Sequence, residues 1–475
     1  MELPAFVGPS YTSTSPLADG ERTVNFYPES IEAPGATTKM ALYPTPGLTA
    51  FTTLPLSPVR GIFGQQGECY AVGGPGLYAV TSTGGVTALG TVAIDANQAT
   101  LTTNGDGGRQ LFVTSGGTGY VLDLDTLVLT AVVSSVTMGA MLDGYFLALD
   151  AATSTLKRSD LFDGLTWDPL QVAQRSTASD PWRSLIVVGR NIWLLGEFTS
   201  ELWYNSGDTF PFAPFPGALV QTGIAAAFSA QQIGTSVIWL AQSRDGARTV
   251  VKAEGITAKK VSTYAVDRAL AAYDDVSDAD AFIYEERGHT FYVLNFPSAN
   301  ATWVYDDTEG QWHERGDWDI PLSRYDVDRP GCHAYIFDRH LVGDRETGAI
   351  YTQSVDTSTN ADGVGLRRLR RTPGIQSEQT PQTFHALRLF VEPGVGLSTG
   401  QGSDPLVSLR YSDDGGMNFG NEIFRSVGAI GKYKNIVEWN RLGQSRYPRV
   451  WEVVMTDPVP WRILGAWVNP SRMGA

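Results

Sequence analysis

Short apolar runs alternate with polar turns along most of the chain, as in a protein built from β-strands. One strand-like run recurs seven times between residues 59 and 358. The central apolar residues of these runs are Tyr70, Phe112, Phe146, Trp193, Trp239, Tyr292 and Leu341. Successive steps between them are 42, 34, 47, 46, 53 and 49 residues, near the roughly 40–50 residues of a propeller blade. The repeat predicts a β-propeller of about six or seven blades.

A second apolar run follows each first run about one hairpin downstream. These second runs are LYAV (77–80), YVLDL (120–124), TLKRS (155–159), ELWYN (201–205), TVVKA (249–253), TWVYD (302–306) and AIYTQ (349–353). Turn-forming segments such as GGPG at 73–76 separate the two runs. Because one blade cannot bury both of its faces alone, we expect the blades to pack around an axis and close a ring. The uneven spacing leaves an open β-solenoid or two stacked sandwiches as alternatives.

The rest of the sequence adds one helix and a second module. Residues 265–280 combine helix-forming residues with apolar positions spaced four and three apart, which predicts a short helix. From residue 384 onward, five strand-like runs predict a small β-sandwich or barrel. We therefore predict an all-β chain in four parts: an N-terminal arm with a ring-closing strand (1–58), the propeller (59–358), a connector (359–383) and a C-terminal β-sandwich module (384–475).

Composition and charge agree with this fold and narrow the function. The 51 Gly and 26 Pro supply tight turns, while the 35 Lys and Arg against 50 Asp and Glu exclude a general basic surface for nucleic acid. No signal-peptide pattern and no apolar run near the ~18 residues of a membrane span occur, which predicts a soluble protein made in a cytosol. Cys69 and Cys332 fall in the first and last repeats, so a closed ring brings them together, and we expect free thiols.

Three segments resemble a known family. They are ERTVNFYPE at 21–29, HALRLFVEPGVG at 385–396, and RYSDDGGMNF at 410–419 together with residues 439–468. They resemble the packaged-DNA-stabilisation tail accessory family of short-tailed bacteriophages, whose members form the tail nozzle, or hub, beneath the portal and adaptor. The signature positions of the first segment are Arg22, Asn25, Tyr27, Pro28 and Glu29. We expect this segment to contact the adaptor or, as the simpler interpretation, to be a core strand that closes the ring.

The resemblance implies a structural protein of the virion tail that is not an enzyme and uses no cofactor. It implies a homohexamer, a six-fold ring of identical chains whose channel extends the portal, retains packaged double-stranded DNA and allows its ejection. The expected partners are the portal and adaptor proteins, a tail needle or plug, tail spikes or fibres, and the DNA that passes through the lumen. It also implies assembly in the cytoplasm of the bacterial host and a C-terminal module at the nozzle tip.

One motif leaves a second class of function open. Residues 412–419 match the Asp-box pattern, which also occurs in sialidase propellers. Asp414 can accept hydrogen bonds from turn amides, Gly415 and Gly416 permit positive φ, and Phe419 can pack beneath the hairpin, so we interpret the box as a structural turn. The alternative is a carbohydrate-binding or sialidase-like propeller. That function predicts repeated Asp boxes and paired acids in a cleft, whereas the sequence contains one such box.

The other charged groups do not form a recognisable catalytic or metal site. The aspartates within residues 273–280 cluster in one stretch, as solvated side chains do, and the five histidines lack metal-ligand spacing. The connector contains a basic cluster of Arg367, Arg368, Arg370 and Arg371. Because arginine pairs with phosphates and carboxylates alike, we interpret this cluster as a contact to DNA or to a neighbouring subunit, or as a charged connector.

Overall fold

A computed structural model describes residues 2–3, 6–15, 17–36, 38–375 and 381–469 of the chain. Nearly all of its regular structure is antiparallel β-sheet. The strands of the N-terminal segment are β1 (Tyr11–Thr12), β2 (Gly20–Val24), β3 (Phe26–Ser30), β4 (Met40–Pro44) and β5 (Gly47–Thr53). They do not form a domain of their own. Strands β2, β4 and β5 pair with strands from later parts of the chain, and β1 and β3 pair with β2 and β4.

The first four blades each contain four antiparallel strands in sequence order. Blade 1 contains β6 (Val59–Gln65), β7 (Glu68–Gly73), β8 (Gly76–Val80) and β9 (Val86–Thr91). Blade 2 contains β10 (Thr100–Thr103), β11 (Gln110–Ser115), β12 (Thr118–Asp123) and β13 (Leu129–Ser134). Blade 3 contains β14 (Met138–Leu142), β15 (Tyr145–Asp150), β16 (Thr155–Arg158) and β17 (Val172–Gln174). Blade 4 contains β18 (Trp182–Val188), β19 (Asn191–Gly196), β20 (Ser200–Asn205) and β21 (Phe212–Val220).

Three further blades complete the ring in the described part of the chain. Blade 5 contains β22 (Gly223–Ile224), β23 (Gln231–Ile233), β24 (Ser236–Gln242), β25 (Arg248–Glu254) and β26 (Thr257–Lys260), and is followed by helix α1 (Tyr264–Ala272). Blade 6 contains β27 (Asp280–Glu286), β28 (His289–Phe296), β29 (Ala301–Asp306) and β30 (Gln311–Arg315), and is followed by a hairpin of β31 (Asp317–Asp319) and β32 (Arg324–Asp326). Blade 7 contains β33 (Pro330–Ile336), β34 (Arg339–Asp344) and β35 (Ala349–Ser354).

The predicted propeller is confirmed, and the described residues form seven blades. The seven first runs of the sequence repeat coincide with strands β7, β11, β15, β19, β24, β28 and β34, the same structural position in each blade. The second runs coincide with β8, β12, β16, β20, β25, β29 and β35, which pair with them as hairpins. The first strands of neighbouring blades contact each other in order, and β33 of blade 7 contacts β6 of blade 1, so the ring is closed.

Strand β5 closes the ring by joining the two ends of the propeller sequence. It pairs antiparallel with β35, with Gly47 opposite Ser354 and Thr53 opposite Ala349, and so supplies the outer strand of blade 7. The segment ERTVNFYPE forms β2 and β3 instead, and neither strand belongs to blade 7. The expectation that this segment closes the ring is therefore wrong, because β2 pairs with β30 of blade 6 and with a strand of the C-terminal module, and β3 pairs with β4 of the arm.

Apolar side chains fill the spaces between blades. Phe112 and Phe146 stack at 5.1 Å between blades 2 and 3, and Trp193 lies 6.0 Å from Trp239 between blades 4 and 5. The cluster between blades 7 and 1 includes both cysteines as free thiols. Their closeness follows from ring closure, as the repeat positions predicted. Burial raises the pKa of each thiol to about 12.

Helix α1 is shorter than the sequence predicted. It begins after Thr263, whose side-chain oxygen accepts a hydrogen bond from the Val266 amide at 3.3 Å, and it ends at Ala272. Beyond that point the Asp275 carboxylate accepts the Ser277 amide at 2.8 Å in a local turn, and such short-range bonding competes with helix. In the described residues no helix has the length and apolar character needed to cross a membrane.

The C-terminal module adds nine strands arranged mainly in two sheets. They are β36 (Arg368–Arg371), β37 (Gln382–Thr383), β38 (Ala386–Val391), β39 (Leu406–Ser412), β40 (Ile423–Ser426), β41 (Val437–Asn440), β42 (Gln444–Ser445), β43 (Val450–Met455) and β44 (Ile463–Val468). One sheet has the order β3-β4-β44-β38-β41, so the N-terminal arm supplies two of its strands. The core between the sheets contains Trp439, Trp451 and Trp461, and Phe26 of the arm packs 5.1 Å from Trp461. The predicted sandwich is confirmed.

The second sheet of the sandwich continues into the propeller. Its order is β27-β28-β29-β30-β2-β36-β43-β39-β40, with β2 of the arm between blade 6 and the C-terminal module. Strand β2 pairs parallel with β30 at Val24 and antiparallel with β36 over Arg22–Val24. Propeller and sandwich are therefore joined edge to edge by backbone hydrogen bonds.

Candidate functional site at the propeller–sandwich junction

Arg22 connects the arm to blade 6 through an ion pair. Its Nε donates to both carboxylate oxygens of Glu314 at 3.0 Å, and its Nη2 lies 2.5 Å from Oε2. The Ser10 hydroxyl donates to the same carboxylate at 3.0 Å. The Glu314 charge raises the pKa of Arg22 further, so this guanidinium stays charged. The bidentate geometry fixes both distance and orientation between β2 and β30.

Asn25 lies at the turn between β2 and β3 and is almost fully buried. Its φ of +58° is in the left-handed region, which asparagine tolerates better than most residues. Its Nδ2 donates to the carbonyls of Gly316 at 2.9 Å and Arg367 at 2.8 Å, and its Oδ1 accepts from the Gly316 amide at 3.1 Å. One side chain thus joins the end of blade 6 to the connector strand.

Tyr27 and Glu29 attach β3 to the face of blade 6. The Tyr27 ring packs 5.2 Å from Phe291 and 5.1 Å from His289, and burial raises the pKa of its hydroxyl. Glu29 Oε2 lies 3.3 Å from His289 Nε2, while His289 Nδ1 lies 2.7 Å from Asp306 Oδ2. The hydrogen bond to Asp306 is the main cause of the raised pKa of His289, and Glu29 adds to it.

Pro28 completes the signature on the same strand. Pro28 lies on β3, the edge strand of its sheet, and pairs with Leu42 of β4. Proline has no N–H to donate, and an edge strand is the place in a sheet where this is tolerated. All five signature residues therefore take part in contacts within the chain. A contact with an adaptor remains a prediction. The Glu29 side chain is partly exposed and is accessible for such a contact.

The arginine cluster of the connector lies mostly inside the junction. Arg370 is fully buried and donates to the carbonyls of Phe6 at 2.8 Å and Pro9 at 2.9 Å, to the Thr23 hydroxyl, and to Glu21 at 2.6 Å. Arg368 is also fully buried, and its Nη1 donates to the Val459 carbonyl at 2.8 Å. These two side chains are enclosed by the chain, so the hypothesis that they contact DNA or a neighbouring subunit is wrong for them.

The other two arginines of the cluster are half-buried and stacked. The Arg367 guanidinium lies 3.8 Å from the centre of the Trp318 ring, on the hairpin that follows blade 6. Arg371 shares the buried Glu452 carboxylate with Arg410, at 2.6 and 2.5 Å. The Arg367 charge lies over an aromatic ring and the Arg371 charge is paired with a carboxylate, so both residues stabilise the junction. A contact with DNA or a subunit through their exposed edges stays a prediction.

The Asp box forms the turn that its sequence predicts. The Asp414 carboxylate accepts the Ser412 hydroxyl at 2.6 Å and the amides of Met417 and Asn418 at 3.0 and 2.9 Å, which lowers the pKa of Asp414 to about 2. Gly415 and Gly416 have φ of +74° and +93°. The Phe419 ring packs against two guanidinium groups, 4.7 Å from Arg371 and 4.9 Å from Arg410.

The carboxylates around one cavity beside blade 1 have partners within the chain. A cavity of about 740 Å³ opens where β6, β27 and β33 begin. Asp280 in it lies 3.1 Å from Arg345, and Asp326 accepts from Arg324 at 2.9 Å. Asp278 accepts the amide and hydroxyl of Ser298. Residues 273–280 therefore form turns and an ion pair, and the charges of Asp280 and Asp326 are each matched by an arginine.

Two of the five histidines contact each other. His333 Nε2 lies 3.0 Å from His340 Nδ1, and burial lowers the pKa of His333 to about 3. His313 is fully buried beside Tyr27 and Phe291, and burial lowers its pKa well below the usual range. Across the described ranges, no group of three or more His, Cys, Asp or Glu side chains is placed to hold a metal ion.

Sequence reasoning found the signature residues but not their partners. Glu314 and Glu452 lie 292 and 81 positions from the arginines that they bind, and nothing in their local sequence marks them. The sequence did indicate which face of the strand Arg22 occupies, because alternate residues of a strand lie on the same face and Val24 is two positions away. The assembled site is the junction of an all-β propeller and a sandwich, where ion pairs such as Arg22–Glu314 and Arg370–Glu21 lie beside a shared sheet. This defines the class as a propeller–sandwich protein.

Comparison with known proteins identifies the family. A family model described as "Bacteriophage P22 Gp10, beta-propeller" matches residues 4–358, and one described as "Bacteriophage P22 Gp10, beta-sandwich" matches residues 367–470. The chain therefore belongs to the family of phage P22 Gp10, the packaged-DNA stabilisation protein, and is a Gp10-like phage tail protein. A search of curated protein sequences found no match.

Solved structures have a low similarity to the chain. The N-terminal domain of Nup159 is 11% identical with a TM-score of 0.43, covering 70% of this chain and 98% of that one. A streptogramin B lyase is 10% identical with a TM-score of 0.41, covering 65% and 98%. A catalytically inactive virginiamycin B lyase from Staphylococcus aureus is 10% identical with a TM-score of 0.40, covering 69% and 99%. At these values the similarities support no statement about function.

Proposed function

We propose that this chain is the tail nozzle, or hub, of a short-tailed phage. Copies of it form a ring, expected to be six-fold, that docks below the portal and adaptor, extends the DNA channel and retains packaged DNA until ejection. The observation that carries the proposal is the family match over both parts of the chain. A needle or plug, and spikes or fibres, are the further partners in this proposal, and the role is structural rather than catalytic.

The architecture supports this function in two ways. The shared sheet makes propeller and sandwich one stiff unit, which suits a part that must hold its shape while DNA under pressure lies above it. The net charge of −15 repels the phosphate backbone, so a lumen formed by such chains would let DNA slide instead of gripping it. Shape, rather than affinity for DNA, is then the basis of retention.

Genetic complementation tests the proposal. A phage in which this gene is interrupted should produce heads that package DNA and then lose it, so that most of the packaged DNA becomes sensitive to nuclease, while plasmid-borne wild-type protein restores retention and infectivity. Electron microscopy should show tails that lack the part below the adaptor. Particles that keep their DNA and their tail shape without this protein would overturn the proposal, and so would turnover of sialosides by the purified chain, which favours the carbohydrate-active alternative.

A further inference from the structure

Charge is divided unevenly between the two parts of the chain. Residues 1–383 contain 25 Lys and Arg against 42 Asp and Glu, whereas residues 384–475 contain 10 against 8. Two exposed loops, one in the sandwich and one in the propeller, carry net charge of the sign that is in excess in their part of the chain. Each combines apolar side chains with charge of a single sign, which is the usual composition of a surface that a partner covers.

The basic loop, called the tip loop, comprises residues 427–436 between β40 and β41. It exposes Ile430, Tyr433 and Ile436 by 63%, 72% and 61%. Lys432 and Lys434 are exposed, have no ion-pair partner in the described structure, and face no carboxylate within the loop itself. The loop is held by its own hydrogen bonds, because the Asn435 side-chain Nδ2 donates to the Ser426 carbonyl at 2.7 Å and the Gly428 backbone amide donates to the Ser426 hydroxyl at 3.0 Å.

The acidic loop, called the blade 3 loop, comprises residues 159–171 between β16 and β17. It contains three aspartates and no basic residue. Its exposed apolar residues are Leu161, Phe162, Leu165 and Leu170, at 51%, 44%, 48% and 86%. The carboxylates of Asp163 and Asp168 each accept an amide two residues ahead at 2.9 Å, which fixes the loop, and neither has an ion-pair partner among the described side chains.

The backbone of the blade 3 loop indicates that its exposed surface has a use. Phe162 has a φ of +55°, which is unfavourable for a bulky residue, while its ring packs over Gly107 and Gly144 and stays 44% exposed. Such strained positions concentrate at functional surfaces. The rigid loop would not lose much conformational entropy when a partner binds.

The two loops lie on opposite sides of the molecule. The tip loop follows β40, the far end of the sheet that extends blade 6 outward. Blade 3 is separated from blade 6 by two blades in one direction around the closed ring and by three in the other. A contact between different surfaces on opposite sides of one subunit is heterologous, and it generates a ring when the rotation between subunits closes.

We propose that the tip loop of one copy of this chain docks on the blade 3 loop of the next copy. Lys432 and Lys434 would face Asp163 and Asp168, and the exposed Ile and Tyr side chains of the tip loop would cover the leucines of blade 3. This inference rests on the proposed ring, and it names the surfaces that form it. A phosphate-bearing ligand would also suit the two lysines, but it would leave the acidic apolar loop without a partner.

Charge reversal in solution tests the contact. Sedimentation velocity would be measured for wild-type protein and for two variants, Lys432→Glu with Lys434→Glu, and Asp163→Lys with Asp168→Lys. Each variant should associate at least about 100-fold more weakly than wild type, because like charges then face each other. The chain that carries all four substitutions should recover association, as should a mixture of the two variants. Matched controls are Arg244→Glu with Lys259→Glu, and Asp245→Lys with Asp275→Lys, which change exposed side chains of blade 5 and of the turn that follows helix α1.

The possible results separate the contact from the proposed function. Wild-type association together with rescue in the four-substitution chain supports the contact. Variants that associate as wild type does, a four-substitution chain that stays monomeric, or a wild-type chain that remains monomeric would overturn it. Circular dichroism of each variant checks that the fold is retained. Retention of phage DNA by the wild-type protein in the complementation assay would keep the nozzle function even if this contact is refuted.

Discussion

Asn25 is the residue whose loss should weaken the propeller–sandwich junction most directly. Its side chain makes three hydrogen bonds to the backbone of Gly316 and Arg367 in a site that is 2% exposed, and its own backbone has a φ of +58°. Asn25→Ala removes all three bonds at about 1 kcal/mol each and places a less tolerant residue in the left-handed region at about 1 kcal/mol. We expect about 3–4 kcal/mol of destabilisation, since the Arg367 carbonyl keeps a weak second donor in Tyr325.

Urea unfolding followed by tryptophan fluorescence measures this loss, together with hydrogen exchange of the Gly316 amide. Asn25→Gly is the matched control, because it loses the same hydrogen bonds but accepts positive φ. It should be less destabilised than the alanine variant by roughly 0.5–1 kcal/mol, after its greater unfolded-state entropy is included. If Asn25→Ala lies within about 0.5 kcal/mol of wild type, or if Gly316 exchange is unchanged, these hydrogen bonds do not hold the junction.

Three further predictions concern buried ionisable groups. Burial keeps His313 neutral by lowering its pKa, so only the unfolded chain takes up a proton there and the stability of the protein falls as the pH drops below about 6.5. The stability of His313→Phe relative to wild type should therefore be about 2 kcal/mol higher at pH 5 than at pH 8. The same difference between the urea midpoints of the two proteins at both pH values would contradict this. Burial lowers the pKa of Arg368 to about 10, and its Nε and Nη2 lack hydrogen-bond partners, so Arg368→Met should raise the melting temperature by the equivalent of about 1–3 kcal/mol; a lower value would show that the cation is needed. The native thiols of Cys69 and Cys332, with a pKa of about 12, should not react with an aromatic disulfide reagent at pH 8, whereas two thiols per chain should react after unfolding.

Local patterns were sufficient to locate the strands of the propeller. Each blade repeats the same alternation and the same turn chemistry, so the second and third strands, from Tyr70 in blade 1 to Leu341 in blade 7, could be placed before any contact was known. The helix end was harder to place, because the competing turn at Asp275 depends on a side-chain hydrogen bond. The Asp box was recognisable because its hydrogen bonds link residues only two to four positions apart.

The sequence by itself determined the elements that are stabilised by contacts between residues close together in the chain. These are the strands with alternating apolar residues, the hairpin turns and the Asp box. The tertiary structure decided which strand closes the ring, because β5 and the strands of the ERTVNFYPE segment have different partners far along the chain. It also decided the role of the arginines. A charged residue is exposed or buried according to whether a carboxylate or carbonyl far along the chain is brought to it, as Glu21 and Phe6 are brought to Arg370, and that pairing exists only once the sheets have assembled.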